Sequence, residues 1–162
     1  MKLLPHGLLD ELAANAAASP RRRAHHNIHA SPGDLVQRFI VVAQGDSYFR
    51  PHRHRSRAEL AVILRGEVEV VTFDEGGRVT ARYVVGAGTD NLAYETPAGT
   101  WHTLIAGANG AAFLEVKEGP YDAATMSEFA AWSPAEGAAS VAPFQQWLRS
   151  ARPGDTAPRV GS

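Results

Sequence analysis

Pro51-His52-Arg53-His54-Arg55-Ser56-Arg57-Ala58-Glu59 is the stretch from which the rest of the chain is read. In a strand, residues i and i+2 project to the same face, so His52 and His54 point together and Arg53 points away. Pro51 suits the first position of a strand, where no ladder N–H is required. Arg55 to Ala58 reads as a break, and Glu59-Leu60-Ala61-Val62-Ile63-Leu64 as a second strand closed by Gly66. Glu59 shares a face with Ala61 and Ile63, and the small Ala61 leaves room beside it. Far downstream, Pro97-Ala98-Gly99-Thr100-Trp101-His102 brings a third imidazole. Neutral imidazoles with a carboxylate suit Fe, Mn, Ni, Cu or Zn. The plainer reading is a solvated strand face on which Arg50, Arg53, Arg55 and Arg57 form an anion-binding edge. The spacing to Gly66 and the later Pro-x-Gly-x-x-His favour the metal.

Around these segments the pattern is mostly β. Val36 to Ala43 is apolar on both alternating sets, as in a strand covered on both sides. Gln44-Gly45-Asp46-Ser47 is a turn. Glu67 to Phe73 alternates acids with β-branched residues, Asp74-Glu75-Gly76-Gly77 turns, and Arg78 to Val85 returns. Leu92–Glu95, Trp101–Ile105 and Ala111–Lys117 complete a series of short strands divided by Gly and Pro. Such spacing predicts a sandwich or barrel. Residues 8–18 read as a helix with Leu8, Leu9 and Leu12 on one face. A second helix follows Ser140, its expected cap, with Val141, Phe144 and Leu148 on one face. That face packs inward or forms a homodimer contact. Residues 151–162, rich in Pro, Gly and Arg, are expected to be disordered.

The 162 residues carry a net charge of −1, which gives no global field for nucleic acid or an anionic membrane surface. No cysteine is present, so neither disulfides nor thiolate ligands are available. The run Met1 to Leu4 is cut by Pro5, His6, Asp10 and Glu11, unlike a secretion signal, and no apolar stretch is long enough to span a membrane. A cytoplasmic protein is the expectation. Arg21 to His29 forms a second basic and histidine-rich cluster: a connector, a basic arm, a second metal site or part of a pocket mouth. His25 and His26 are adjacent, cannot share one strand face, and are assigned no metal.

The two histidine segments resemble the paired motifs of the cupin superfamily: Gly, His-x-His, Glu, Gly, then Pro-x-Gly-x-x-His. Within it the chain is most similar to the WbuC family of cupin-fold metalloproteins. Ser47 to His54, Thr100-Trp101-His102, Glu115 to Tyr121 and Phe129 to Glu136 carry that resemblance, which covers about residues 20–137. Six residues rather than five separate Gly45 from His52, and Ala106 stands where many cupins have Asn. The resemblance implies a mainly β chain with one cupin jelly-roll β-barrel, a double-stranded β-helix, and short N-terminal and C-terminal helices. The implied boundaries are an N-terminal helix and arm at 1–30, the barrel with its trailing segment at 31–137, and a C-terminal helix and tail at 138–162. It also implies His52, His54, Glu59 and His102 as ligands of a divalent ion (Fe, Mn, Ni or Zn), with Asn27 and His29 reaching the pocket.

An octahedral ion with four protein ligands keeps two positions for substrate, near the pattern of facial-triad oxygenases. Zn(II) with all four would be closed. Tyr48 and Trp101 adjoin the ligands in sequence. Arg38, Glu115 and Lys117 lie on barrel strands. His29 and Glu115 are the candidate bases, and Lys117 a candidate for holding an anionic or hydroxyl-rich small molecule. The opposing expectations are core packing for Trp101 and an exterior salt bridge for Glu115 and Lys117. Two function classes follow. One is a metalloenzyme, either a sugar or nucleotide-sugar isomerase or epimerase, as the association of WbuC-like proteins with O-antigen biosynthesis suggests, or an oxygenase. The other is a non-catalytic metal- or ligand-binding module. Nucleic-acid binding through Arg21 to Arg23 has one short basic run behind it and no helix-turn-helix pattern.

Overall fold

The computed structural model describes residues 1–159. Helix α1 (Gly7–Ala18) is followed by β1 (Arg23–Asn27), β2 (Val36–Ala43), β3 (His52–Arg53), β4 (Glu59–Phe73), β5 (Val79–Gly86), β6 (Ala93–Thr96), β7 (Trp101–Glu118), β8 (Glu128–Phe129) and helix α2 (Val141–Ser150). All strand pairs are antiparallel. The chain is a mainly β jelly roll of two layers. One layer runs β1-β2-β7-β4-β6 and the other β5-β4-β7-β3-β8. The layers share β4 and β7, which the sequence pattern divides into four shorter strands. Gly66 (φ 71°) and Gly110 (φ 77°) sit where the two ladders shift register, and the strands bend there instead of ending. Positive φ is accessible to Gly at little cost, which is why a turn-like residue serves as a corner.

Three apolar clusters hold these layers. Val41, Ala61, Ile63, Val68, Val70 and Phe113 fill the space between them. Leu9 and Leu12 of α1 cover Ile40, Val42 and Ala112 on the outer face of the first layer. Phe144 and Leu148 of α2, each 3% exposed, pack with Val71, Phe73, Val79 and Trp101 on the second. Burying one such side chain contributes about 2–3 kcal/mol. The apolar face of α2 is therefore spent within the chain. Ser140 precedes α2 without a side-chain cap bond, contrary to the expected cap.

Two stretches differ from their sequence reading. Arg23–Asn27 is a strand in register with β2, not a connector outside the barrel. Its alternation turns Ala24 toward α1's cluster. Residues 152–157, expected to be disordered, lie along β5. Val79 N–H donates to Asp155 (2.8 Å), Gly154 N–H to Val79 (2.8 Å) and Ala157 N–H to Gly77 (3.0 Å). Residues 160–162 of that expected tail lie outside the described ones.

Candidate metal centre

β3, β7 and the start of β4 meet at one end of the sandwich. His52 pairs directly opposite His102, and Glu59 opposite Lys117. The ligand atoms of His52, His54 and His102 all lie within 4.8 Å of one another. Glu59 Oε2 is 2.9 Å from His54 Nε2, and Glu59 Oε1 is 3.7 Å from His102 Nε2. So the four residues singled out by spacing and resemblance do converge. His54, Glu59 and His102 are each at most 3% exposed.

Each imidazole turns Nδ1 to a backbone carbonyl: His52 to Arg50 (2.9 Å), His54 to Met126 (2.5 Å) and His102 to Thr100 (3.0 Å). A carbonyl oxygen only accepts, so each Nδ1 carries the hydrogen, and in the neutral ring Nε2 is left with a lone pair. Burial, reinforced by His102, pushes the His52 pKa down to about 3, so that ring is neutral at pH 7. His102 Nε2 is buried without a hydrogen-bond partner. An orphaned buried acceptor costs about 1–3 kcal/mol, and a cation placed there removes that cost. Two donors about 2.1 Å from one ion at right angles lie about 3 Å apart, close to the His54–Glu59 separation. The donor set therefore fits a divalent ion.

Lys117 closes the far side of Glu59. Its Nζ is 3.0 Å from Glu59 Oε2 and also bonds Glu115 Oε1. Both residues point inward and are largely buried, which departs from the exterior salt bridge that was one of the two readings of this pair. Burial would raise the Glu59 carboxyl, but His102, His54 and Lys117 together hold it well below the usual range. Glu115 goes the other way: burial, then the Glu59 charge, lifts it to about 8. Lys117 is raised by the two carboxylates against the opposing effect of burial. The Tyr94 hydroxyl, which sequence reasoning missed, is buried without a partner, and burial and the two glutamates raise its pKa. Its only sequence signal is alternation with Thr96, opposite Glu59 in β4.

The arginines of the opening stretch do not form an anion-binding edge. Arg53 pairs with Glu128 (2.6 Å) and Glu75 (2.6 Å), Arg55 with Glu128 (2.6 Å), and Arg57 donates to the Glu118 (2.9 Å) and Pro120 (2.7 Å) carbonyls. Together with Arg50, which donates to Ala130 O (3.1 Å), they clamp residues 118–130 across the end of the sandwich. Likewise Arg21 and Arg23 are held by Glu136, and Arg22 by Asp46.

A cavity of about 560 Å³ lies between the inner face of β1-β2-β7 and this clamped segment. His29, Glu115 and Lys117 line it, as do His25, Asn27 and Phe39. His29 sets Nδ1 against the Arg38 backbone, 3.1 Å from its N–H and 2.9 Å from its carbonyl, and stays apart from the three clustered imidazoles. Tyr48 is not at the cavity. Its hydroxyl donates to Pro134 O (3.0 Å) and its ring packs edge-on to Phe144, so its candidacy is withdrawn. Arg38 is exposed on the opposite face of β2 and is likewise displaced from the site. Trp101 is a core residue; its indole donates to Glu75 (3.0 Å) and lies under the Arg53 guanidinium.

A family model described as a domain of unknown function (DUF6016) matches residues 4–85. No curated protein matches the sequence. Solved structures share the fold. Oxalate oxidase in complex with the substrate analogue glycolate superposes with a TM-score of 0.52 at 18% identity, covering 70% of this chain and 57% of that one. DMSP lyase DddQ from Ruegeria pomeroyi DSS-3 gives 0.53 at 19%, covering 70% and 54%. Oxalate decarboxylase from Bacillus subtilis gives 0.52 at 22%, covering 66% and 27%. These are cupin-fold proteins, and the likeness is one of fold. The chain spans a little over half the length of the oxalate oxidase chain.

Proposed function

We propose the function from the site itself, since the chain belongs to the DUF6016 family, whose description names no reaction. The protein is a cupin-fold metalloprotein acting on a small molecule. His52, His54, His102 and Glu59 would hold the divalent ion, of the Fe, Mn, Ni or Zn class. The observation that carries this is the shared orientation of the three rings, each with Nδ1 on a backbone carbonyl, with His54 Nε2 beside the Glu59 carboxylate and His102 Nε2 buried and unpartnered. Such backbone acceptors fix the tautomer and aim the ring of a ligating histidine. The bound ion would supply Lewis acidity and positions for a chelating ligand.

The chain's own groups supply the rest. Glu115 and Lys117 are a buried carboxyl and ammonium in direct contact, bordering both Glu59 and the cavity. A proton held between them lies within reach of a molecule in that cavity. This favours proton transfer, as in isomerisation or epimerisation of a sugar-like or nucleotide-sugar substrate, over oxygenation. The surface-polysaccharide role implied by the WbuC resemblance accords with such a substrate. His29 on the same cavity wall is the second candidate base.

Metal content of untagged protein purified without chelators tests the reading, beside His102→Ala. A tightly held divalent ion that is lost in the variant is the expected result. No uptake of Fe(II), Mn(II), Ni(II) or Zn(II) by either protein after reconstitution overturns it. Solvent tritium entering a sugar acid, with no O₂ consumed, is the expected activity; O₂ uptake reverses the preference.

A further inference from the structure

The outer face of β4 carries side chains that the fold of one chain does not use. An antiparallel strand with one face in water alternates apolar with polar residues. The second half of β4 does so, with Val68 and Val70 buried and Glu67 and Glu69 turned outward. Its first half does not: Leu60-Ala61-Val62-Ile63-Leu64 is apolar throughout. Ala61 and Ile63 enter the core, so Leu60, Val62 and Leu64 face away from it, with Leu60 and Leu64 37% and 45% exposed. The register extends this surface sideways. Val116 lies opposite Leu60, and Leu114 and Ala93 lie on either side of Val62. Helix α1 packs on the same face of the sheet, but over Ile40, Val42 and Ala112, and leaves Leu60 and Leu64 uncovered. A contiguous apolar surface of this kind marks a place where something docks.

The charges on the face say what covers it. One row of the register runs from Arg38 on β2 through Val116 on β7 and Leu60 on β4 to Glu95 on β6. Arg38 and Glu95 are both exposed, and neither side chain has an ion-pair or hydrogen-bond partner among the described residues. Three strand spacings, about 14 Å, hold them apart within one chain. A cation and an anion at opposite ends of an apolar row are complementary to the same row read backwards. A two-fold axis parallel to the strands, between two such faces, returns the row in reverse order. The apolar centres then meet, and Arg38 of each copy comes beside the partner's Glu95. The remaining charges nearby do not oppose this: Arg65 is held by Asp10 of α1, and Glu118 lies one row further along, opposite Val36. The cavity lies on the inner face of the sheet and is lined by none of the residues of this row, so both copies keep it outside the contact.

We infer that the outer face of β4 and β7 docks a second copy of this chain, as a two-fold dimer closed by Leu60, Val62, Leu64 and Val116 and flanked by two Arg38–Glu95 pairs between copies. The same surface patch serves on both subunits, so the contact closes and does not propagate.

Sedimentation velocity of the full-length protein between about 1 and 100 µM tests this. The parent should sediment at twice the chain mass at the upper end and move toward the chain mass on dilution. Leu60→Glu sets two carboxylates into the apolar centre of the dimer and should raise the dissociation constant about a hundredfold. The position is partly exposed, so the monomer keeps its fold, which its melting temperature checks. Val84→Glu, at a position 46% exposed on β5, should leave the dimer unchanged. Arg38→Glu and Glu95→Arg should each weaken the dimer about tenfold at low salt, and the double variant should return to within about threefold of the parent. A residue that merely supported the monomer would not be rescued by reversing its distant counterpart. A parent that stays monomeric throughout, a dimer indifferent to Leu60→Glu, or a double variant no tighter than the single ones overturns the inference. So does a monomer whose uptake of an apolar dye is lost in Leu60→Glu, because the face would then serve a different partner.

Discussion

Lys117 is the residue on which the buried charges balance. Its side chain is 10% exposed and lies between Glu59 and Glu115, at 4% and 11%. Removing one partner from such a set leaves charge without compensation in a poorly solvated place, at a cost of about 3–5 kcal/mol. Lys117→Met should therefore lower the unfolding free energy of the metal-free protein by about 3 kcal/mol in urea. A loss below about 1 kcal/mol would mean that the carboxyls take up protons instead and that the ammonium is not structurally required. None of this was legible from the Glu-x-Lys pattern, which on a strand fits an outer face as well as an inner one. The apolar residues on both faces of β2 hide which side is covered by α1 and which faces the cavity. Tyr48 fails for a related reason: closeness to His52 in sequence says nothing of the turn that sends its ring toward α2.

At the scale of elements, the bends in β4 and β7 set how the two layers meet. A Cβ on Gly66 would run into the Gly110 carbonyl oxygen, in a backbone conformation that L-residues avoid. Gly66→Ala should cost about 2 kcal/mol of stability in urea unfolding. An unchanged midpoint would show that the corner can be made another way. The positions of the strands were readable from alternation and from Gly and Pro. That four of them are two long ones was not, because a glycine at positive φ ends a strand or turns it with the same letter. The segment after α2 holds a second test. Truncation after Ala151 removes three backbone hydrogen bonds to Gly77 and Val79. A melting temperature lower by about 4–8 °C is expected, from about 2 kcal/mol; no change would mean that the tail rests on β5 without supporting it. Glu136 ties the trailing segment to β1. Burial would raise its carboxyl, but Arg21 and Arg23 bring it below the ordinary value. A depressed carboxyl stabilises above its unfolded pKa and loses that contribution as pH falls through the folded one. Glu136→Gln should lower the melting temperature at pH 7 and converge on the parent once the pH has fallen below the depressed folded pKa. A gap that persists in acid would point to packing instead of charge.

Over the whole molecule, metal and fold should be linked. An ion at 100 times its dissociation constant adds about 2.7 kcal/mol, or about 5–10 °C in a domain of this size. Chelation should remove that increment from the parent and leave His102→Ala unaffected. Equal shifts in both proteins would place the bound ion elsewhere. That His52 and His54 share a face was readable from strand alternation; that Glu59 and His102 join them was implied only by the cupin resemblance, because no spacing shows that residue 52 pairs opposite residue 102. The carbonyl that aims His54 was not readable at all, since any residue offers one and only the path of the chain brings Met126 there. That path has a temporal meaning. During synthesis His54 leaves the ribosome long before residue 126, and His102 comes between them. The frame around the four residues is therefore closed only once the clamped segment has crossed the end of the sandwich. A nascent chain halted short of it would own His52, His54, Glu59 and His102 and still lack the acceptor that aims one of them, so tight capture of the proposed ion would wait for that segment.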